Sequence, residues 1–295
     1  MSKAALKFVT ISLKAHSAAQ SNKMKGIVGC LLPGGQALDL AAEMTRPGII
    51  ESAGLDFGTN THNARMLHFL RATESRPDII KMLREKIDSE AFHADDVIDG
   101  KQYTLQAPLI PDRNVMCIGK NYSDHIAEIN KVNAKKETTA ASGQGQVIAP
   151  EKITVPVIFT KAPQTIIGHG ESIESHSGLT KWLDYEVELA VIIGRTCKNV
   201  TESEAMSKVF GYTISNDVTA RDIQKRHIQW FKGKSLDTSC PMGPAIVHAD
   251  DVDPSNLSLK TWVNNQERQN STTANLIFKI PRLISELSKG FTLLP

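Results

Sequence analysis

The run Asp184-Tyr185-Glu186-Val187-Glu188-Leu189-Ala190-Val191-Ile192-Ile193-Gly194 constrains this chain more than any other stretch. Its apolar, β-branched second half predicts a strand over 184–194. Side chains alternate between the two faces of a strand, so Glu186 and Glu188 share one face, with Cβ atoms about 7 Å apart, and Leu189 and Val191 take the other. Beyond Glu188 both faces are apolar, which carries the strand into a core. Two carboxylates at the edge of a core repel each other and are costly to ionise unless a cation neutralises them. Taken alone, the pair also reads as a solvent-facing alternation on an edge strand.

Other acids bear on that choice. Phe210-Gly211-Tyr212-Thr213-Ile214-Ser215-Asn216-Asp217 predicts a second strand that ends in an acid at a strand-to-helix junction. Thr219 and Asp222 have the spacing of a helix-capping pair, which leaves Asp217 to point into a cleft. Glu186, Glu188 and Asp217 together make a hard, all-oxygen donor set suited to Mg²⁺, Mn²⁺ or Ca²⁺. His125 and Glu128 fall at i and i+3 of a helical start, where the carboxylate can orient the imidazole or relay its proton. A surface helix turn carrying the same two residues is the alternative. Lys234, in Gly233-Lys234-Ser235, lacks the Gly-x-x-x-x-Gly-Lys spacing of a phosphate loop, so a nucleotide site is unsupported and the lysine is left as a cation for a substrate carboxylate.

The chain divides at about residue 108. Short strands are expected at 8–13, 26–32 and 36–40, the last two joined by a Pro33-Gly34-Gly35 turn, followed by helices at 64–72 and 77–87. Residues 1–108 thus form a small α+β N-terminal domain with a supporting or dimerising role. Residues 109–295, which hold the candidate chemistry, are expected to form a second domain, with strands at 115–119, 157–161, 184–194, 210–216, 244–248 and 258–264 and helices at 202–209, 220–228 and 274–289. Strands in unequal runs without βαβ alternation predict an α+β, mainly β architecture. The polar, Gly/Ala/Ser/Thr-rich stretch 133–150 reads as a lid or an insertion.

Lys+Arg 34 against Asp+Glu 32 gives a net charge of +2, with no basic run, which argues against nucleic-acid and acidic-membrane partners. No uncharged apolar stretch reaches the roughly 18 residues of a membrane span. Cys30, Cys117, Cys197 and Cys240 are scattered, as core thiols of a reducing compartment are, and the cytoplasm is the expected location. The N-terminus carries Lys3, Lys7, Lys14, Lys23 and Lys25 with no acid before Asp39, so a mitochondrial transit peptide competes with a first strand; the absence of Arg before Arg46 weighs against it.

Four blocks together carry a resemblance: Gly119-Lys120-Asn121-Tyr122-Ser123-Asp124-His125, Asp184 to Leu189, Asn216-Asp217-Val218-Thr219-Ala220-Arg221-Asp222, and Gly233-Lys234-Ser235 through Cys240-Pro241-Met242-Gly243-Pro244. In this order the chain resembles the fumarylacetoacetate hydrolase family, in particular its smaller members with a short N-terminal domain, from about residue 24 to the end. The resemblance implies a predominantly β catalytic fold and a homodimer. It implies Glu186, Glu188 and Asp217 as ligands of Mg²⁺ or Mn²⁺, with Ca²⁺ a further candidate. It implies His125 and Glu128 as the pair that activates water, Lys234 as a catalytic lysine facing substrate and metal, and Lys120, Tyr122, Arg221 and Gln224 as substrate-binding residues. The function implied is divalent-metal-dependent, hydrolytic C–C cleavage of a small 2-oxo or β-diketo acid, as in an acylpyruvase. An oxaloacetate tautomerase or decarboxylase on the same site is the alternative, and a metal-binding member without catalysis is the reading from a different class. The family continues past Phe291-Thr292-Leu293-Leu294-Pro295 with a Gly-Asp strand, a Gly-Thr-Pro-x-Gly-Val-Gly turn and further strands, so the resemblance implies that core strands are missing from this sequence.

Overall fold

The computed structural model describes residues 5–14, 25–45, 62–123 and 154–295. His125, Glu128 and the stretch 133–150 lie outside the described residues. The strands, in chain order, are β1 Lys7–Leu13, β2 Lys25–Leu31, β3 Ala37–Asp39, β4 Val97–Ile98, β5 Tyr103–Leu105, β6 Val115–Gly119, β7 Val157–Lys161, β8 Ile166–Ile167, β9 Leu183–Asp184, β10 Val187–Ile193, β11 Val209–Asn216, β12 Thr219–Ala220, β13 Cys240–Pro241, β14 Ile246–His248, β15 Ser258–Val263 and β16 Gln266–Thr272.

An 8-stranded sheet in the order β10-β11-β14-β1-β2-β3-β4, with β5 also on β1, forms the centre of the molecule. All of its pairings are antiparallel. The first strand at 8–13 is therefore present, and it pairs directly with β14, so one sheet runs across residue 108. The apolar run Val187–Ile193 has the two-sided burial its composition implies. Ile192 packs into the core built on Phe8, Phe69 and Phe210, while Leu189, Val191 and Ile193 pack against Ile280, Ile284 and Leu293. Helices His62–Ser75 and Asp78–Asp88 cover the first of these faces with Met66, Phe69, Leu70, Ile79 and Leu83. Phe8 lies 5.2 Å from Phe69 and 5.1 Å from Phe210, ring centroid to centroid. Burying each such ring contributes about 1.5–3 kcal/mol, and the ring pairing adds about 0.5–1.5 kcal/mol.

Smaller strand pairs frame the sheet. β6 and β7 form an antiparallel pair that sets Val115 opposite Lys161 and Gly119 opposite Val157. β9 pairs with β12, and β13 runs parallel to β8. β15 and β16 form a hairpin turned by Asn264 and Asn265, both with positive φ. Strand β16, entirely polar in Gln266–Thr272, is an element the hydrophobic pattern does not predict. Expected helices at 202–209, 220–228 and 274–289 are shorter, as Glu202–Ala205, Arg221–Arg226 and Ile280–Ser288.

Candidate active site

Antiparallel pairing of β10 with β11 sets Val187 opposite Asn216, so Glu186 and Asp217 meet at the same end of the ladder. The Asp217 amide donates to the Glu186 carbonyl at 2.8 Å. The expected strand 184–194 is interrupted here. Leu183–Asp184 leaves to pair with Thr219–Ala220, and the Glu186 amide donates to the Asn216 side-chain Oδ1 at 3.0 Å.

Lys234 stands between the two acids. Its Nζ donates to Asp217 Oδ2 at 2.5 Å and to Glu186 Oε2. Arg221 closes the other side, with Nη2 2.7 Å from Glu186 Oε1 and Nε 2.8 Å from Asp184 Oδ2; its Nη1 donates to Gln224 Oε1 at 3.2 Å. The lysine reaches this position because the Phe231–Lys234 and Arg221–Arg226 helices touch backbone to backbone. A Cβ at Gly233 would lie 2.6 Å from the Gln224 nitrogen, which only glycine avoids.

The expected Thr219–Asp222 cap is not formed. Thr219 lies in β12, where its hydroxyl donates to Glu186 Oε2 at 3.2 Å and to the Asp217 carbonyl at 2.9 Å. Asp222 accepts instead from Thr180 Oγ1 at 2.5 Å and from the Lys181 amide at 3.1 Å. The helix it belongs to starts without a side-chain cap. The physical reason is that both capping groups have stronger partners outside the helix.

Charge sets the protonation of the cluster. Burial alone would raise the Glu186 carboxyl, but Lys234 and Arg221 outweigh it and hold the group down at about 2. Burial likewise opposes the Lys234 ammonium, and the Asp217 and Glu186 charges overcome it, so its pKa lies above the ordinary value. Glu188 is pushed well above the carboxylate range, first by burial and then by the Glu186 and Asp217 charges. Asp217 Oδ1 is buried without a hydrogen bond, although Lys161 Nζ lies 2.9 Å from it as an ion pair.

These observations test whether a divalent cation suits the residues present. A buried carboxylate oxygen without a hydrogen bond and a carboxyl that needs added positive charge to ionise are groups a hard cation suits, and the donors are all oxygen. Glu186, Glu188 and Asp217 fit such an ion in kind. Among the described residues no three His, Cys, Asp or Glu side chains are already gathered around one point, and Lys234 stands between two of the three acids.

A cavity of about 320 Å³ opens beside the cluster, with Glu188, Asp217, Ser215, Tyr122 and Phe159 in its lining. Phe159 has its ring centroid 4.7 Å from Lys234 Nζ and 5.5 Å from the Trp230 ring. Lys120 Nζ lies 6.0 Å from the Trp230 centroid. The structure therefore gathers Glu186, Glu188, Asp217, Lys234, Arg221 and Gln224, with Tyr122 on the cavity wall and Lys120 against Trp230.

Lys161 of the site escapes sequence reading, and Ser239 and Asn121 lie within the sequence blocks but have no role assigned to them there. Lys161, 1% exposed, ends β7 with its ammonium facing Asp217. Ser239 donates to the Lys234 carbonyl at 3.1 Å. Asn121 ties its own segment to Phe278, distant in the chain, accepting from the Phe278 amide at 2.8 Å and donating to the Phe278 carbonyl at 3.0 Å. The available signal is faint: a lysine closing an otherwise apolar strand, Val157-Ile158-Phe159-Thr160-Lys161.

Fold and site define a mainly β protein with a buried carboxylate–ammonium cluster at one end of its central sheet. Residues 114–295 match the fumarylacetoacetate (FAA) hydrolase C-terminal family, and the chain belongs to the fumarylacetoacetate hydrolase family. It is 47% identical over 191 residues to oxaloacetate tautomerase YisK of Bacillus subtilis, an alignment covering 64% of this chain and 58% of that protein, so the chain spans less than two thirds of this relative. Among solved structures it is similar to fumarylacetoacetate hydrolase from Exiguobacterium antarcticum, at TM-score 0.68 and 32% identity, covering 98% of this chain and 83% of the other. It is also similar to 5-carboxymethyl-2-hydroxymuconate delta-isomerase from Mycobacterium smegmatis, at TM-score 0.56 and 37% identity over 69% of this chain and 72% of the other. The mainly β fold expected from the sequence is the fold of this family.

Proposed function

We propose that the chain acts on a small 2-oxo acid with a divalent cation held by Glu186, Glu188 and Asp217, and that its first reaction is keto–enol tautomerisation of oxaloacetate. The observation that carries the reading is the cluster itself, in which Lys234 bridges Glu186 and Asp217 while Asp217 Oδ1 has the Lys161 charge but no hydrogen bond and Glu188 is short of positive charge. A bound Mg²⁺ or Mn²⁺ supplies positive charge that polarises the 2-oxo carbonyl. Arg221, held by Asp184 and Glu186, keeps the acids in register and donates to Gln224, which this reading assigns to substrate binding. Lys234 faces the substrate carboxylate, with Lys120 and Tyr122 on the approach. His125, oriented by Glu128, moves the proton.

Placing tautomerisation ahead of hydrolysis reverses the order implied by the sequence blocks, and the 47% identity to an oxaloacetate tautomerase is the reason. Hydrolytic C–C cleavage is the second reading, favoured by the likeness over 98% of the chain to a fumarylacetoacetate hydrolase. In that reading His125 takes the proton from water. The chain acts as a homodimer in this account, supported by exposed Trp182, Ile228 and Phe231 around the Arg221–Arg226 helix. The cytoplasm is the proposed location and the mitochondrion the alternative.

The test is a metal-dependent assay of the purified chain on oxaloacetate and an acylpyruvate. EDTA-sensitive loss of enol absorbance without pyruvate release supports the tautomerase; pyruvate with CO₂ means decarboxylation, and pyruvate with a carboxylic acid from the acylpyruvate means hydrolysis. A chain that binds Mn²⁺ and turns over neither acid contradicts the proposal and favours a non-catalytic metal-binding role.

A further inference from the structure

Lys161 is among the most buried side chains of the molecule, yet it carries a charge and belongs to none of the sequence blocks that define the site. Its surroundings say what it can do. The Nζ donates to the Val218 carbonyl at 3.1 Å, to the Lys234 carbonyl, and to Ser239 Oγ at 3.3 Å. Asp217 Oδ1 lies 2.9 Å from the same Nζ as an ion pair, so four oxygens surround one ammonium with three protons. With 1% exposure and protein oxygens on every donor, Lys161 is enclosed by the protein rather than open to a substrate.

The partners share a pattern. Val218 follows Asp217, the Lys234 carbonyl belongs to the residue whose Nζ bridges Glu186 and Asp217, and Ser239 donates back to that same carbonyl at 3.1 Å. Three chain segments, at the ends of β7 and β11 and after the Phe231–Lys234 helix, thus converge on one ammonium.

We infer that Lys161 is a positioning residue that fixes Lys234 relative to Asp217 and so holds the carboxylate cluster ready for its cation. The inference rests on the proposed function for its consequence, the cation, but not for its geometry. Loss of Lys161 removes the anchor of the Lys234 backbone and the charge beside Asp217 while leaving every proposed ligand in place. Charged hydrogen bonds of this kind are each worth enough to shift an equilibrium about tenfold or more.

The experiment compares the full chain with Lys161→Met and Ser239→Ala by two readouts. The first is acetylation of Lys234 by acetic anhydride, followed by mass spectrometry, with the buried Cys30 thiol as an internal control for general loosening. Lys161→Met is expected to speed Lys234 acetylation about tenfold, and Ser239→Ala by a smaller factor, with Cys30 reactivity unchanged. The second is Mn²⁺ affinity by calorimetry, expected to weaken about tenfold in Lys161→Met. Should Lys161→Met fail to fold, the Ser239→Ala result decides. Unchanged Lys234 labelling in folded variants, or a parallel rise at Cys30, overturns the inference. A wild-type chain that binds no Mn²⁺ overturns the proposed cation site instead, and the labelling arm still decides the role of Lys161.

Discussion

Strand β11 connects two regions held by different forces. Phe210, at its start, is packed among Phe8, Phe69 and His248. Asp217, just past its other end, lies among Lys234, Lys161 and Glu186. In the aromatic region the stabilising quantity is buried apolar area, which is additive, non-directional and tolerant of changes that conserve volume. In the charged region each group is stable only through a specific partner, because an unpaired charge at the same depth is costly. A single strand thus carries the fold at one end and the chemistry at the other. Mutations should separate the two.

The largest expected effect is in the aromatic region. Phe69→Ala is expected to cost about 3–5 kcal/mol, measured by urea unfolding, whereas Phe69→Leu costs about 1.5 kcal/mol or less. Equal losses from the two variants would mean that ring geometry, not area, holds this core. Lys234→Met should cost about 3 kcal/mol in EDTA, because it removes the ammonium between Glu186 and Asp217 and leaves the two acids with only Arg221 and Lys161 to offset their repulsion. Added Mn²⁺ should recover part of that loss; a variant as stable as wild type in EDTA would show that the bridge contributes nothing. Glu188→Gln should act in the opposite sense, raising metal-free stability by about 1 kcal/mol by removing a carboxyl that burial and two like charges disfavour. The same variant should lose Mn²⁺ affinity, and a stability decrease in EDTA would contradict the charge argument.

The smallest effect lies at the junction of β1 with the sheet. Arg84 donates through both of its terminal nitrogens to Asp251 at 2.9 Å, and the Leu6 amide donates to the same carboxylate at 2.8 Å. Burial works against the charged form of Asp251, but Arg84 and Leu6 prevail and hold its pKa below the ordinary 3.8. A carboxyl depressed in the folded state contributes stability above its unfolded value and loses it as pH falls through the folded one. Asp251→Asn should therefore destabilise the protein at pH 7 and flatten the stability loss below about pH 4, as followed by thermal unfolding across pH. An unchanged acid limb would remove Asp251 from the account.

The same contrast decides what was legible in the sequence. Val187–Ile193, Val209–Asn216 and the helices around Phe69 and Ile79 follow from hydrophobic period, because area burial leaves a pattern in composition. Polar β16 leaves none, since its place depends on the ladder with β15 and on two adjacent asparagines at positive φ. The interruption at Tyr185-Glu186 is equally silent, because the alternation continues through it while Asn216 replaces a ladder partner. Within the site, the acids and Lys234 are legible in the sequence blocks. Lys161 is not, because a buried ammonium is identified by carbonyls of Val218 and Lys234, which any residues at those positions would offer. The Thr219–Asp222 spacing misled for the converse reason: a local capping pattern was overridden by partners distant in the chain, Thr180 and Glu186.

The central claim is that the end of β11 is a site for a divalent cation, and calorimetric titration of Mn²⁺ into the metal-free chain tests it most directly, with Asp217→Asn alongside. The account predicts one Mn²⁺ per wild-type chain and no measurable binding to the folded variant, which keeps the shape of Asp217 but loses its charge. No binding to the wild type, or the same affinity in both proteins, would contradict it.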